Sequence, residues 1–414
     1  MTTLSLKQII NQRLIAVLFI GFSSGLPFAL TNSTLQAWFT EANINLSMIG
    51  ALSLLGVPYT LKFLWAPLMD YVSLPYFGKR RGFILLTQLL LVVMLFILAN
   101  MNPVSETMKM GVIALWIAFL SASQDIAIDA YRTDVLLNEE RGLGAAYFVF
   151  SYRIAALISG GLALICADYF GFKITYELMA LLLLISMIPA IRAPRIIEPP
   201  TIQKNLFQLT IASMHDLLQR EKAILLLLFI IFYKFGDALA LSLMTNFLLQ
   251  GLGFSLTDVG LVYKTVSFVG IILGAFVAGI LLIRWNIYRA LLLFGLAQAF
   301  SNLTFAVLAL VGKQMTLMAV SLFIESFCSG LSTAAFFAFL MSLCNHRFTA
   351  TQFALFTAIA SIGRTFLGPF AAFLVQHFGW VQYFLWSFVL CFPGIIILIL
   401  LKERVLSYAE VPAE

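Results

Sequence analysis

The sequence predicts an all-α integral membrane protein of twelve transmembrane helices arranged as two six-helix halves. Composition, recurring apolar runs and the placement of basic residues carry this expectation. Of 414 residues, 62% are hydrophobic and 11% charged, and mean hydropathy is +1.00. A soluble core of this length cannot use that much apolar surface, whereas a bilayer can. About 20 apolar residues span ~30 Å of hydrocarbon as a helix. Runs of that kind fall at 14–38, 47–69, 82–100, 110–132, 142–168 and 175–191, then at 222–249, 256–282, 288–311, 315–343, 350–376 and 381–401. Among the 25 lysines and arginines, only Lys109, Lys173 and Lys313 lie in the odd-numbered connections. Loops on the other side carry most of the rest, which places that side and both termini in the cytoplasm. The net charge of +6 follows from this topology and is no argument for nucleic acid.

The first run follows a basic flank but is too long for the apolar core of a signal peptide, so it is read as the first helix. Within it, Gly25 and Pro27 loosen the helix ahead of Asn32 and Gln36, one turn apart. Their amides offer donors and acceptors that suit sugar hydroxyls and peptide groups, and mark both as substrate-binding candidates. After the second run, Asp70 is followed by Gly78, Lys79, Arg80 and Arg81. A carboxylate here can accept hydrogen bonds from a facing helix N-terminus and hold one side closed, so these four charged residues are gating candidates. The alternative is that the basic run only anchors topology.

The fourth run holds SASQDIAIDAYRTD, Ser121 to Asp134. Asp125 and Asp129 stand four residues apart on one helix face, with Arg132 one turn on. A carboxylate in hydrocarbon costs about 2.5–3.5 kcal/mol on insertion scales, so such residues usually face a polar path. Burial and nearby cations push a carboxylate in opposite directions, which suits Asp125 and Asp129 to proton coupling as a cavity changes sides. A permanent ion pair with Lys62 or Arg153 is the structural alternative.

Other charged residues fall inside spans: Lys62, Arg153, Lys234, Asp237, Lys264, Glu325 and Arg364. They are substrate-binding candidates, because guanidinium and ammonium groups grip carboxylates. Lys234 and Asp237 are also spaced to neutralise each other. Arg153 and Arg364 occupy corresponding places in the two halves, and are expected to project into one central space.

The halves resemble each other. Leu46-Ser47-Met48-Ile49-Gly50 is matched 210 residues later by Leu256-Thr257-Asp258-Val259-Gly260, and Tyr169-Phe170-Gly171-Phe172 is matched 208 residues later by His377-Phe378-Gly379-Trp380. Two matches at nearly one offset indicate a duplicated six-helix unit in parallel orientation, the organisation of major facilitator transporters. The expected division is 1–191 for the first bundle, 192–221 for a cytoplasmic linker and 222–414 for the second bundle with a short tail. The linker opens on APRIIEPP, and its remaining residues have the spacing of an amphipathic helix on the membrane surface.

Cys166, Cys328, Cys344 and Cys391 lack paired metal-ligand spacing, and His215, His346 and His377 stand in no hydrolytic constellation. No phosphate-binding loop is present. The expectation is therefore neither an enzyme nor an ATP-driven pump, with no cofactor and no metal.

Four segments carry a closer resemblance: GFSSGLPFALTNSTLQAWF (21–39), PYTLKFLWAPLMD (58–70), FLSASQDIAIDAYRTD (119–134) and ERGLGAAYFVFSYR (140–153). Together they resemble the AmpG-type muropeptide permeases, densely in the first half and more weakly, though collinearly, in the second. The resemblance implies proton-driven import of anhydro-muropeptides across the bacterial inner membrane for cell-wall recycling, and the chain is expected to act as a monomer. It also implies functional roles for Lys62 and the Asp125–Asp129 helix. A porter for another bulky anion, such as acetyl-CoA or a siderophore, is the alternative.

Overall fold

The computed structural model describes residues 11–65, 79–136, 141–194, 221–282, 284–343 and 349–410. They are helical almost throughout. The expected linker helix, Asp70 and most of the turn before Lys79 lie outside them. Nine helical stretches are long and apolar enough to cross a membrane. Two of the nine change direction inside, and Leu46–Leu61 adds a shorter apolar helix, which accounts for twelve segments among the described residues.

The first unit comprises residues 1–44 and 55–203. Its helices are α1 (Gln12–Glu41), the later part of α2 (Leu46–Leu61), α3 (Lys79–Ala99), α4 (Thr107–Val135), α5 (141–170) and α6 (172–192). Asn11 caps α1 by accepting from Leu14 N at 2.9 Å. Helix α1 lies directly on α5. A Cβ on Gly25 would collide with the Tyr152 carbonyl oxygen, and Thr34 Oγ1 donates to Ser159 O at 2.6 Å. Both helices widen to a π turn here, at Leu30–Thr34 and Ile158–Leu162.

The second unit comprises residues 45–54 and 204–414. It contains α7 (Ala223–Gly251), α8 (Leu256–Leu282), α9 (Ile287–Val311), α10 (Met315–Ser342), α11 (349–378), α12 (380–400) and a terminal α13 (Lys402–Glu410). Its aromatic core gathers Phe229, Tyr233, Phe294, Phe336, Phe339 and Phe356. The opening of α2 belongs here. Ser53 Oγ donates to Thr365 O at 2.8 Å, and Ser47 and Gln376 exchange hydrogen bonds.

Both sequence repeats return as backbone geometry. Asn45 and Ser255 cap α2 and α8 in the same way, accepting from the third residue on. Gly171 (φ 79, ψ 161) and Gly379 (φ 77, ψ 175) each break a continuous helix in one residue. Such φ values suit glycine, which has no Cβ to clash. The expected loops at these places are therefore single-residue breaks.

Candidate functional site

Each unit carries one charged cluster. In the first, α4 presents Asp125 and Asp129 on a common face. Ser24 of α1 donates to Asp125 Oδ1 at 2.5 Å. Lys62, in a tight turn after the helical part of α2, lies 3.8 Å from Asp129 Oδ2 and within electrostatic reach of Asp125. Arg132 Nη2 meets Asp129 Oδ1 at 3.2 Å, and its guanidinium covers the Phe148 ring at 4.4 Å. Placing Arg132 in the last turn also complements the negative end of the helix. Trp65 Nε1 donates to Ser123 Oγ at 3.0 Å, tying the turn that carries Lys62 to α4. Asp129 thus faces two cations, and Asp125 is held by a serine with Lys62 nearby.

In the second unit, α7 is interrupted at Tyr233–Lys234 and restarts at Phe235. The interruption puts Asp237 in the first turn of the new segment, where the helix dipole favours a carboxylate. Lys234 Nζ reaches Asp237 Oδ2 at 3.4 Å and donates to Ser332 Oγ at 2.5 Å. Gln298 of α9 donates from Nε2 to Asp237 Oδ1 at 3.0 Å and to Glu325 Oε1 at 3.4 Å. Ser326 donates to Glu325 Oε2 at 3.2 Å, and Ser329 to Asp237 Oδ2 at 3.4 Å. The Lys264 ammonium lies over the Tyr263 ring at 4.5 Å.

The remaining candidates are dispersed. Arg153 and Arg364 are exposed, each in its own unit, as is Asn32, while Gln36 is buried. Arg80 pairs with Asp134 at 3.4 Å. Buried Arg81 donates to the Ile191 carbonyl at the end of α6, so it ties α3 to a helix C-terminus. Lys79 begins α3, and its side chain lies outside the described residues, as does Asp70.

Two overlapping stretches, residues 17–367 and 226–414, match the family described as Major Facilitator Superfamily. The chain is also 45% identical over 396 residues to the anhydromuropeptide permease of Escherichia coli K12, covering 95% of this chain and 80% of that protein. The chain belongs to the AmpG-type permeases of the Major Facilitator Superfamily. A putative transporter AmpG 1 of Rickettsia bellii is 30% identical over 409 residues, covering 95% of this chain and 99% of that one. Among solved structures, an inward-facing bacterial homologue of the human lysosomal transporter Spinster superposes with a TM-score of 0.74 at 14% identity, covering 97% of this chain and 98% of that one. A D-xylose–proton symporter gives 0.70 at 12%, covering 96% and 98%. These two report the fold alone.

This AmpG-type chain is a multi-pass membrane transporter for a small molecule, and not an enzyme. Sequence reasoning passed over Ser24, Gln298, Ser326, Ser329 and Ser332, which bind the charged groups of the two clusters. Gln298 carried the best available signal, since a primary amide inside an apolar run needs a partner.

Proposed function

We propose that this chain imports anhydro-muropeptides, N-acetylglucosaminyl-anhydro-N-acetylmuramic acid carrying short peptides, from periplasm to cytoplasm in symport with protons. The observation that carries the substrate is the 45% identity, across 95% of the chain, to a protein named anhydromuropeptide permease. In this reading the protein works as a monomer in the bacterial inner membrane, with both termini cytoplasmic, and serves peptidoglycan recycling. Its two six-helix bundles act as the transporting halves.

Asp125 takes and releases the proton, with Asp129 beside it and Lys62 as the cation that answers each change. The 3.8 Å pair between Lys62 and Asp129 supports this, because half the Asp129 side chain is exposed and a partner can be exchanged there. Arg153, Arg364, Lys234 and Lys264 offer positive charge to the peptide carboxylates, and Asn32 and Gln36 offer amides to the sugars. The network of Asp237 and Glu325 positions Lys234. Arg80 and Arg81 brace the gate with Asp70 and Lys79. The membrane potential supplies about 2.3 kcal/mol per charge per 100 mV to drive uptake.

The test is uptake of radiolabelled anhydro-muropeptide into right-side-out and inverted vesicles, with and without a protonophore. Protonophore-sensitive uptake in right-side-out vesicles, lost in Asp125→Asn, is the expected result. If folded protein takes up no muropeptide under any gradient, the substrate assignment fails, and CoA esters and siderophores are the next compounds.

A further inference from the structure

The buried cluster of the second unit sets two carboxyl groups, Asp237 and Glu325, beside one lysine within ion-pair distance, Lys234. Asp237 and Glu325 lie 8% and 2% exposed, on α7 and α10. One amide nitrogen, Gln298 Nε2, donates to both carboxyl groups. Among the described residues, the cation within ion-pair distance of them is Lys234, and it sits on the Asp237 side. The other titratable groups facing the pair are Tyr263 on α8, Cys328 on α10 and Cys391, where α12 bends. None of these supplies positive charge. Lys264, next along α8, places its ammonium on the Tyr263 ring rather than on a carboxylate.

Two carboxylates held together behind one lysine do not both stay ionised, because like charges in a dry site repel and a shared proton removes the conflict. We propose that Asp237 and Glu325 hold one proton between them, resident on Glu325, and form a second proton-binding site of this transporter, apart from the Asp125–Asp129 cluster. Assignment to Glu325 follows from the partners. Asp237 has the lysine, the shorter bond from Gln298 and a place in the first turn of a helix. Glu325 has one serine and the longer bond from Gln298, and is the more deeply buried.

The use of this proton in transport rests on the proton-coupled reading above. A substrate carboxylate that draws Lys234 away removes the cation from the pair and tightens its hold on the proton. Binding of substrate and proton therefore reinforce each other, which is the sign that symport requires.

The test is infrared difference spectroscopy of the purified full chain in lipid, between acidic and alkaline buffer, reading the carboxylic acid C=O stretch. It is done in Asp125→Asn, so that this buried carboxyl does not contribute, with the partly exposed Glu106→Gln as a control. A protonated-carboxyl band at neutral pH that disappears on adding Glu325→Gln is expected. Because that variant can misfold, the same spectrum is taken from Asp125→Asn grown on heavy-isotope glutamate, which shifts the band if the proton is on Glu325. No band, a band that glutamate labelling does not shift, or one that survives Glu325→Gln in folded protein overturns the proposal. The measurement needs no substrate. A band without muropeptide uptake therefore sinks only the substrate assignment, and uptake without a band sinks only the shared proton.

Discussion

In the first unit Lys62 and Asp129 meet at 3.8 Å with 36% and 50% of their side chains exposed. In the second, Lys234 and Asp237 meet at 3.4 Å with 15% and 12% exposed. The two pairs have the same chemistry in different surroundings. An exposed pair is screened and holds its geometry weakly, so its members can change partners at little cost. A buried pair costs more to separate, and this one is also held by hydrogen bonds from Gln298 and Ser329 to Asp237 and from Lys234 to Ser332. The two units thus carry the same ion pair in one exposed and one buried setting.

The sharpest way to break this comparison is to remove one carboxylate from each pair. Asp237→Ala should cost about 3–5 kcal/mol in unfolding measurements, because Lys234 is left buried without its counter-charge. Asp129→Ala should cost only about 0.2–1 kcal/mol, even though uptake falls. Equal losses at both sites would show that exposure does not separate the clusters. The second largest effect is expected at the serine that reaches across to Asp125. Ser24→Ala should destabilise by roughly 1–3 kcal/mol by leaving that carboxyl short of a donor, with Ser24→Thr restoring most of it in the same thermal assay.

The third pair of variants tests the symmetry itself. Gly171→Ala and Gly379→Ala should each cost about 1–3 kcal/mol, since a positive φ with ψ near 180° is essentially restricted to glycine, while no neighbour crowds the new methyl at either place. A large difference between the two would mean that the halves use their shared motif differently. The smallest effect belongs to the connection before α4. There Lys109 beside Glu106 holds its carboxyl below the usual glutamate range, helped by the Asn102 N–H. A lowered folded value means that the stabilisation is complete above the ordinary pKa of about 4.3, and is lost as pH falls through the lowered one. Glu106→Gln should therefore lower the thermal midpoint slightly at neutral pH and not at strongly acidic pH.

Much of the fold was legible because the bilayer demands long apolar helices and sorts basic loops, and both demands write themselves into composition. The paired carboxylates of α4 were legible for the same reason, since charge in hydrocarbon stands out. The serines were not. Ser24, Ser329 and Ser332 differ little from small packing residues in a hydropathy pattern, and only the crossing of helices brings them to a carboxylate or a lysine. The interruption of α7 at Tyr233–Lys234 was equally hidden, because no glycine or proline stands at the break. The expected alignment of Arg153 with Arg364 came from sequence offset alone; Arg153 belongs to the first unit and Arg364 to the second.

The opening of α2 has a consequence in time. Its partners on α11 are more than three hundred positions further along the chain, with Ser53 and Thr365 separated by 312 and Ser47 and Gln376 by 329. At a synthesis rate of about 5–20 residues per second, α2 emerges roughly 15–60 s before the residues that complete its packing. For that interval the newborn protein carries a helix whose hydrogen-bonding serines await their partners, and whatever tends nascent membrane chains must shelter it until α11 arrives.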